Sequence, residues 1–413
     1  MQTTKQNIEA KRLAVPGSIT EPEIGGQSVA EQTFHTDQVL TVVGAHFMHD
    51  TFSAFLPPLL VEIKSMLGTN NAMAGSLVIL TQLPSILNPF IGYMADRVSV
   101  RYFVIFAPAV TATLMSSLGL VHSYIALAMI LLATGVSIAA FHAPAPAMIA
   151  RVAGNRVGRG MSFFMAGGEL GRTVGPVVVA YAVVWWGIDG IWRLAAIGWI
   201  TSAVLFWRLH NVKARPGLHQ QASVRGMLPQ VGRIFPTLAW IMGPKALLAA
   251  SLTVYLPIYM SDVKGANLTM AAVSLTILEG AGFIGALLTG TVSDRIGRAR
   301  MLLIVLTLAP ILLALFLLGP LWLAVPALIG LGLTAISPTP VMLAVVQDQF
   351  PVNRATANGL YMFLNFLIRA TAIAVVGLMA DRLGLTPAFL ISGFIALLSI
   401  PAVFRLPAQE VSV

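Results

Sequence analysis

His46-Phe-Met-His49-Asp50 sets an imidazole and a carboxylate four residues apart, which puts them on one face of a helix. Asp50 there is a candidate proton carrier, with His46 beside it to tune it. Phe141-His142-Ala-Pro144-Ala-Pro146 adds a third histidine next to two prolines. Those prolines break the hydrogen-bond ladder, and such breaks are tolerated in lipid where backbone lines a cavity. His142 is therefore expected near a path through the protein, although a hinge alone would explain the prolines. His46, His49, Asp50 and His142 are also hard or borderline metal ligands, but nothing marks a closed site, and no metal is expected.

Further along, Glu169 and Arg172 stand three apart, a spacing that permits an internal ion pair. They are either a self-neutralised structural pair or part of a substrate or proton site. Lys245, Glu279, Asn365 and Arg369 bring more polar groups into otherwise apolar stretches. Ionisable groups at membrane depth are costly and usually face a cavity, and cations on several helices suit an anionic or zwitterionic ligand. Lys245 has a second explanation, reaching out to an interface. Gly167, Gly171 and Gly175 recur every fourth residue, with Pro176 following, the stripe that lets two helices pack closely.

The elements that carry these groups must lie in lipid. Hydrophobic residues make up 57% of the 413 and charged residues 10%, and the mean hydropathy is +0.84. No aqueous surface can be built from so few charges; a soluble protein carries about 25%. Twelve apolar stretches are long enough to span a bilayer, at 38–62, 72–95, 101–120, 123–150, 158–185, 189–209, 236–260, 270–292, 300–318, 320–346, 355–380 and 385–405. Spanning segments of that length are helices, because every backbone group must find a partner within the protein. The predicted fold class is all-α integral membrane. Residues 1–36 read as a polar, disordered tail, with no cleavable signal peptide, and 406–413 as a second tail.

Charge gives the orientation. Arg97, Arg101, Arg151, Arg156, Arg159, Arg208, Lys213, Arg215, Arg295, Arg298, Arg300, Arg354 and Arg405 fall on one side of the spans, while the other has only Lys64, Arg193, Lys264 and Arg382. The basic side is the cytoplasmic one, so both termini are expected there. The net charge of +9 is then an orientation device rather than a nucleic-acid surface. Cysteine is absent, which excludes disulfides and thiol chemistry and says nothing of compartment. No Gly-x-x-x-x-Gly-Lys-Ser/Thr loop is present, so neither an enzyme nor direct use of ATP is expected.

The chain also repeats. Gly92-Tyr-Met-Ala-Asp96-Arg97 and Gly290-Thr-Val-Ser-Asp294-Arg295 are offset by 198 residues, as are Asn155-Arg156 and Asn353-Arg354. Phe55-Leu-Pro57 is echoed by Tyr255-Leu-Pro257 after 200. A six-helix unit at 37–210, a linker at 211–235 and a second unit at 236–405 follow, the pseudo-symmetric plan of transporters that rock about a central site.

The two Gly-x-x-x-Asp-Arg loops resemble the loop motif of the major facilitator family. That resemblance implies alternating access by a monomer without cofactor, and a latch made by Gly92, Asp96, Arg97, Gly290, Asp294 and Arg295 that holds the outward-facing state. Val98-Ser99-Val100-Arg101 lacks the usual glycine after the first copy. His46-x-x-x-Asp50, Phe141-His142 and the glycines ending in Pro176 together resemble the fosmidomycin-resistance branch of bacterial drug-efflux facilitators. This implies a bacterial inner membrane and proton-driven export of a small anion, with Asp50, Glu169 and His46 handling the proton. His142, Arg172, Lys245, Glu279, Asn365 and Arg369 would hold the substrate. An importer by symport and a divalent-metal exporter are the alternatives. The branch carries an acid after the proline of the fourth span, where this chain has Ala145-Pro146-Ala147, so a different substrate is expected.

Overall fold

Proline decides where the long apolar stretches bend. The computed structural model describes residues 34–87, 101–211, 227–350 and 354–407, and it is helical almost throughout. The first span is two helices, α1 (Thr36–Ser53) and α2 (Leu56–Leu67), with Pro57 and Pro58 opening the second. Asn71–Gln82 forms α3, and Arg101–Ser116 forms α4. The fourth span divides at Ala143–Pro144 into α5 (Tyr124–His142) and α6 (Ala145–Val152). Unbroken helices follow, α7 (Val157–Trp186) and α8 (Ala195–Leu209).

The second half repeats these breaks. A π-helical turn at Ser251–Tyr255 separates α9 (Leu228–Ala250) from α10 (Leu256–Asp262), ahead of Pro257. After α11 (Leu268–Ile296) and α12 (Arg298–Leu318), a second π-helical turn at Gly332–Ile336 separates α13 (Ala324–Leu331) from α14 (Pro338–Gln349), ahead of Pro338. Each proline lacks an N–H and so disrupts the ladder one turn earlier; the wider turn absorbs the mismatch. α15 (Arg354–Leu383) and α16 (Leu385–Ala396) complete the bundle.

The sequence expectation of twelve spans is consistent with these helices but treated the first and seventh as continuous. Ten described helical stretches are long and apolar enough to cross a bilayer. α7 is not among them, because Glu169, Arg172 and a run of glycines dilute its middle. The predicted second span is described only to residue 87. The internal repeat survives in the ends of the helices. Gly68 and Gly265 close α2 and the stretch after α10 with φ of +59° and +67°, and Gly187 and Gly384 close α7 and α15 with +72° and +87°. Only glycine adopts that backbone freely. Asn70 and Asn267 then cap α3 and α11 by accepting from the amides of Met73 and Met270.

Packing joins the two halves unevenly. A large apolar cluster runs across both, including Leu56, Leu59 and Leu60 of α2, Tyr255, Leu256 and Tyr259 around α10, and Ile373 and Val376 of α15. Two smaller clusters stay within one half each. One holds Val39, Val42, Ile105, Met148 and Phe164, the other Leu238, Leu302, Val341 and Tyr361. The halves therefore meet at the end that carries Lys64 and Asp381, whereas the end that carries Val39 and Val403 packs within each half. Polar contacts reinforce the joined end. Lys64 Nζ lies 2.5 Å from Asp262 Oδ2. The Asp381 carboxylate accepts from the amides of Asn71 and Ala72 at 2.7 and 2.9 Å, capping α3 from the opposite half. Tyr255 donates to the Ile373 carbonyl at 2.8 Å, in space left free by Gly75 and Gly377.

Candidate functional site

α1 and α7 pack along the glycine stripe. A side-chain carbon at Gly167, Gly171 or Gly175 would meet the carbonyl oxygens of Val43, Phe47 and Thr51 at 2.9, 2.4 and 2.4 Å. Those carbonyls recur every fourth residue of α1, so the two stripes run together, and the buried Pro176 ends this tight stretch. A side-chain carbon at Gly168, one position off the stripe, would meet the His46 ring at 2.4 Å and Asp50 Oδ2 at 3.0 Å. Its missing side chain is the space that the functional groups occupy. The sequence reading assigned Gly168 no site role, because its neighbour lies across the helix interface.

Asp50 is the centre of the site, with 3% of its side chain exposed. Its Oδ2 lies 3.4 Å from His46 Nε2 and 3.2 Å from Arg172 Nη1. Its Oδ1 lies 3.2 Å from His49 Nδ1 and 3.4 Å from His142 Nε2. Arg172 also forms a direct ion pair with Glu169, so the two are not an isolated structural pair. Aromatic rings hold the histidines in place: His46 stacks on Phe164 with centroids 3.9 Å apart, and His49 on Phe141 at 4.4 Å. His49 is fully satisfied. Its Nδ1 serves Asp50, and its Nε2 lies 3.2 Å from the Thr111 hydroxyl, which continues to Ser137 at 2.8 Å. Both hydroxyls escaped the sequence reading, since they sit on α4 and α5, far from His49 in the chain.

His46, Asp50 and His142 each bring a ligand atom within 4.8 Å of the others, a group that could hold a metal ion. The Arg172 guanidinium on the same carboxylate opposes this, because it would place a permanent cation beside a dication.

The second half faces this cluster with a looser set. Glu279 on α11 is half-buried and within electrostatic reach of Arg172, Glu169 and Arg369. α11 meets α7 closely, with Gly280 against Thr173. Arg369 on α15 is exposed, and Asn365 lies one turn before it, half-buried. Lys245 on α9 lies near Arg369 but also borders a small apolar void with Leu248, Val305, Ala309 and Ala335, set back inside its own half. Among the described residues, none of Lys245, Glu279 and Arg369 is in an ion pair of the kind that holds Asp50 to Arg172.

The predicted latch is described only in its second copy; Gly92, Asp96 and Arg97 lie outside the described residues. Asp294 pairs with Arg298 at 2.5 Å, and Arg298 reaches Asp348 of α14 at 3.4 Å. Arg295 is exposed. Among the described residues, a side chain at Gly290 would meet nothing within 4 Å.

Residues 42–372 match the sequence profile of the Major Facilitator Superfamily. The chain is 25% identical over 370 residues to the Fosmidomycin resistance protein of Escherichia coli (strain K12), covering 87% of this chain and 90% of that one. It is 23% identical over 385 residues to an uncharacterized MFS-type transporter, YfnC, of Bacillus subtilis (strain 168), covering 90% and 93%. Among solved structures it resembles the nucleoside transporter NupG, with TM-score 0.73, 14% identity and coverage of 90% and 100%. A D-xylose-proton symporter aligns with TM-score 0.70, 16% identity and coverage of 91% and 97%.

Proposed function

The chain belongs to the major facilitator superfamily and is a membrane transporter, not an enzyme; from that footing we propose that it exports a small anionic or zwitterionic compound in exchange for protons. The observation that carries this reading is the buried Asp50, shared among three histidines and an arginine, with Arg369 of the second half within electrostatic reach of that arginine, Arg172. Asp50, Glu169 and His46 handle the proton. Arg369, Arg172, Asn365, Glu279, His142 and, from behind, Lys245 hold the substrate. The likeness to a fosmidomycin resistance protein supports outward export and a phosphonate-like ligand.

The chain sits in a bacterial inner membrane with both termini in the cytoplasm, as the positive-inside rule requires of its basic loops. It works as a monomer, with six-helix units at 37–210 and 236–405 joined by 211–235. On that topology the described conformation opens inward, its outer end closed by the large apolar cluster and by Asp381. The two Gly-x-x-x-Asp-Arg loops would latch the opposite conformation.

Import by symport is the second reading, and the charge distribution favours it. Asp50 and Glu169 outweigh Arg172 by one negative charge, while Lys245 and Arg369 outweigh Glu279 by one positive. One added proton leaves the site positive, so a proton and a monoanion bind more easily together than apart. A zwitterion whose cationic end competes for Asp50 and Glu169 gives exchange instead.

Expression in an efflux-deficient bacterium tests the proposal. Protection against fosmidomycin or similar anions that is lost in Asp50→Asn supports export. Absence of protection with the protein in the membrane refutes drug export, and uptake driven by an inward proton gradient would then establish the symporter.

A further inference from the structure

The hydrogen bonds around His46 and His142 leave one proton to be placed. His46 Nδ1 lies 2.7 Å from the carbonyl oxygen of Phe164, and His142 Nδ1 lies 3.0 Å from that of Ile138. A carbonyl only accepts, so each Nδ1 carries hydrogen and donates. In a neutral ring the other nitrogen is then a bare lone pair. Yet the two Nε2 atoms face each other at 3.2 Å, and each is 3.4 Å from an Asp50 oxygen. Two lone pairs and a carboxylate do not meet in a buried pocket without a proton between them, because unsatisfied polar atoms there are costly.

We propose that the coupling proton sits between Nε2 of His46 and Nε2 of His142, and that Asp50 is its fixed counter-charge rather than its carrier. This rests on the proton-coupled reading above and narrows it, keeping His46 as a proton site, moving His142 from the substrate to the proton and leaving Asp50 charged throughout. Asp50 already accepts from Arg172 and from His49 Nδ1, two donors that favour its charged form. His49 cannot share the duty, since both its ring nitrogens are engaged. Besides Asp50 and His49, the charged group that reaches the pair is Arg172 on α7, which is in turn within reach of Glu169 on α7 and Glu279 on α11; among the described residues α4 and α5 add the hydroxyls of Thr111 and Ser137.

Access is one-sided. His142 keeps 34% of its side chain exposed while His46 keeps 3%, so the proton arrives and leaves through His142. His46, closed in by Phe164 and Gly168, fixes its position. With the proton present the imidazolium satisfies Asp50, and Arg172 is free to turn to Glu279 or to a substrate anion. Without it Asp50 draws Arg172 back. The proton's presence is thereby reported to the second half as the position of a guanidinium.

Infrared difference spectra of the purified protein across a pH titration, with ring-labelled histidine, test this. The expected result is a change in imidazole bands that is lost in both His46→Gln and His142→Gln, with no carboxylic-acid carbonyl band assignable to Asp50. A carbonyl band that disappears in Asp50→Asn overturns the proposal. Stoichiometric Zn2+ binding that is lost in His142→Gln also overturns it, by making the pocket a metal site. If either glutamine variant fails to fold, the labelled wild-type spectrum still separates imidazole from carboxyl titration. The parent reading has its own test: uphill transport in proteoliposomes that persists after both the pH gradient and the membrane potential are collapsed refutes proton coupling, whatever the infrared bands report.

Discussion

Replacing Gly171 by alanine tests the closest approach in the site. The new carbon would lie 2.4 Å from the Phe47 carbonyl oxygen and 2.9 Å from the Thr51 nitrogen, both backbone, and 3.2 Å from the Asp50 Cβ. An ordinary contact begins near 3.4 Å, so relief of the worst clash requires α1 and α7 to part by about 1 Å, and no rotamer change can supply it. Overpacking of this kind costs about 1–3 kcal/mol. The same displacement stretches the 3.2 Å contact between Arg172 and Asp50 beyond hydrogen-bond length. Thermal unfolding in detergent and transport by the same preparation give the readout. Gly44→Ala is the control, since a carbon at Gly44, also on α1, meets nothing within 4 Å. Gly171→Ala should melt lower than Gly44→Ala and lose transport more completely than it loses stability. If the two variants melt together and both transport, the helices do not approach as described and the stripe has no positioning role.

Asp381→Ala removes two amide acceptors at the start of α3 and should cost about 0.5–2 kcal/mol of the closed end. In this cysteine-free chain, labelling of Thr173→Cys by an impermeant thiol reagent from that side should then quicken about 2- to 30-fold. Exchanging the charges of the half-exposed Lys64–Asp262 pair should change the same rate by less than about fivefold, because such pairs contribute about 0–1 kcal/mol. Arg369→Gln removes the exposed cation and should weaken binding of an anionic probe by about 10- to 100-fold, the loss of one charge-assisted hydrogen bond, as measured by the concentration that half-saturates counterflow. Asp50→Asn leaves Arg172 with Glu169 alone and should abolish protection in growth assays while the protein still reaches the membrane.

Residues that meet along one helix were legible in the sequence. His46 with Asp50, Glu169 with Arg172, and the four-residue glycine stripe all follow from helical periodicity. The spans and the repeat were legible too, because lipid enforces length and duplication leaves constant offsets. Contacts that depend on two helices crossing at a particular height were not. Nothing in the sequence joins His142 to His46, Thr111 to His49, or Asp381 to the amides of Asn71 and Ala72. The first span read as continuous because Pro57 and Pro58 interrupt hydrogen bonding without interrupting hydropathy. Lys245 read as a cavity residue by type alone, and its neighbours Val305 and Ala335 come from helices whose packing no periodicity reports.

The apolar cluster that spans both halves has an electrical consequence. Leu56, Leu59, Leu60, Tyr255, Leu256, Tyr259 and Ile373 are each at most 2% exposed, and together they form a low-dielectric plug at one end of the path. Stripping an ion of water to enter such a region costs on the order of tens of kcal/mol. While that end is closed, the insulation comes from the plug itself. A transporter built this way can sit idle under a membrane potential without short-circuiting it, and its losses come from turnover alone.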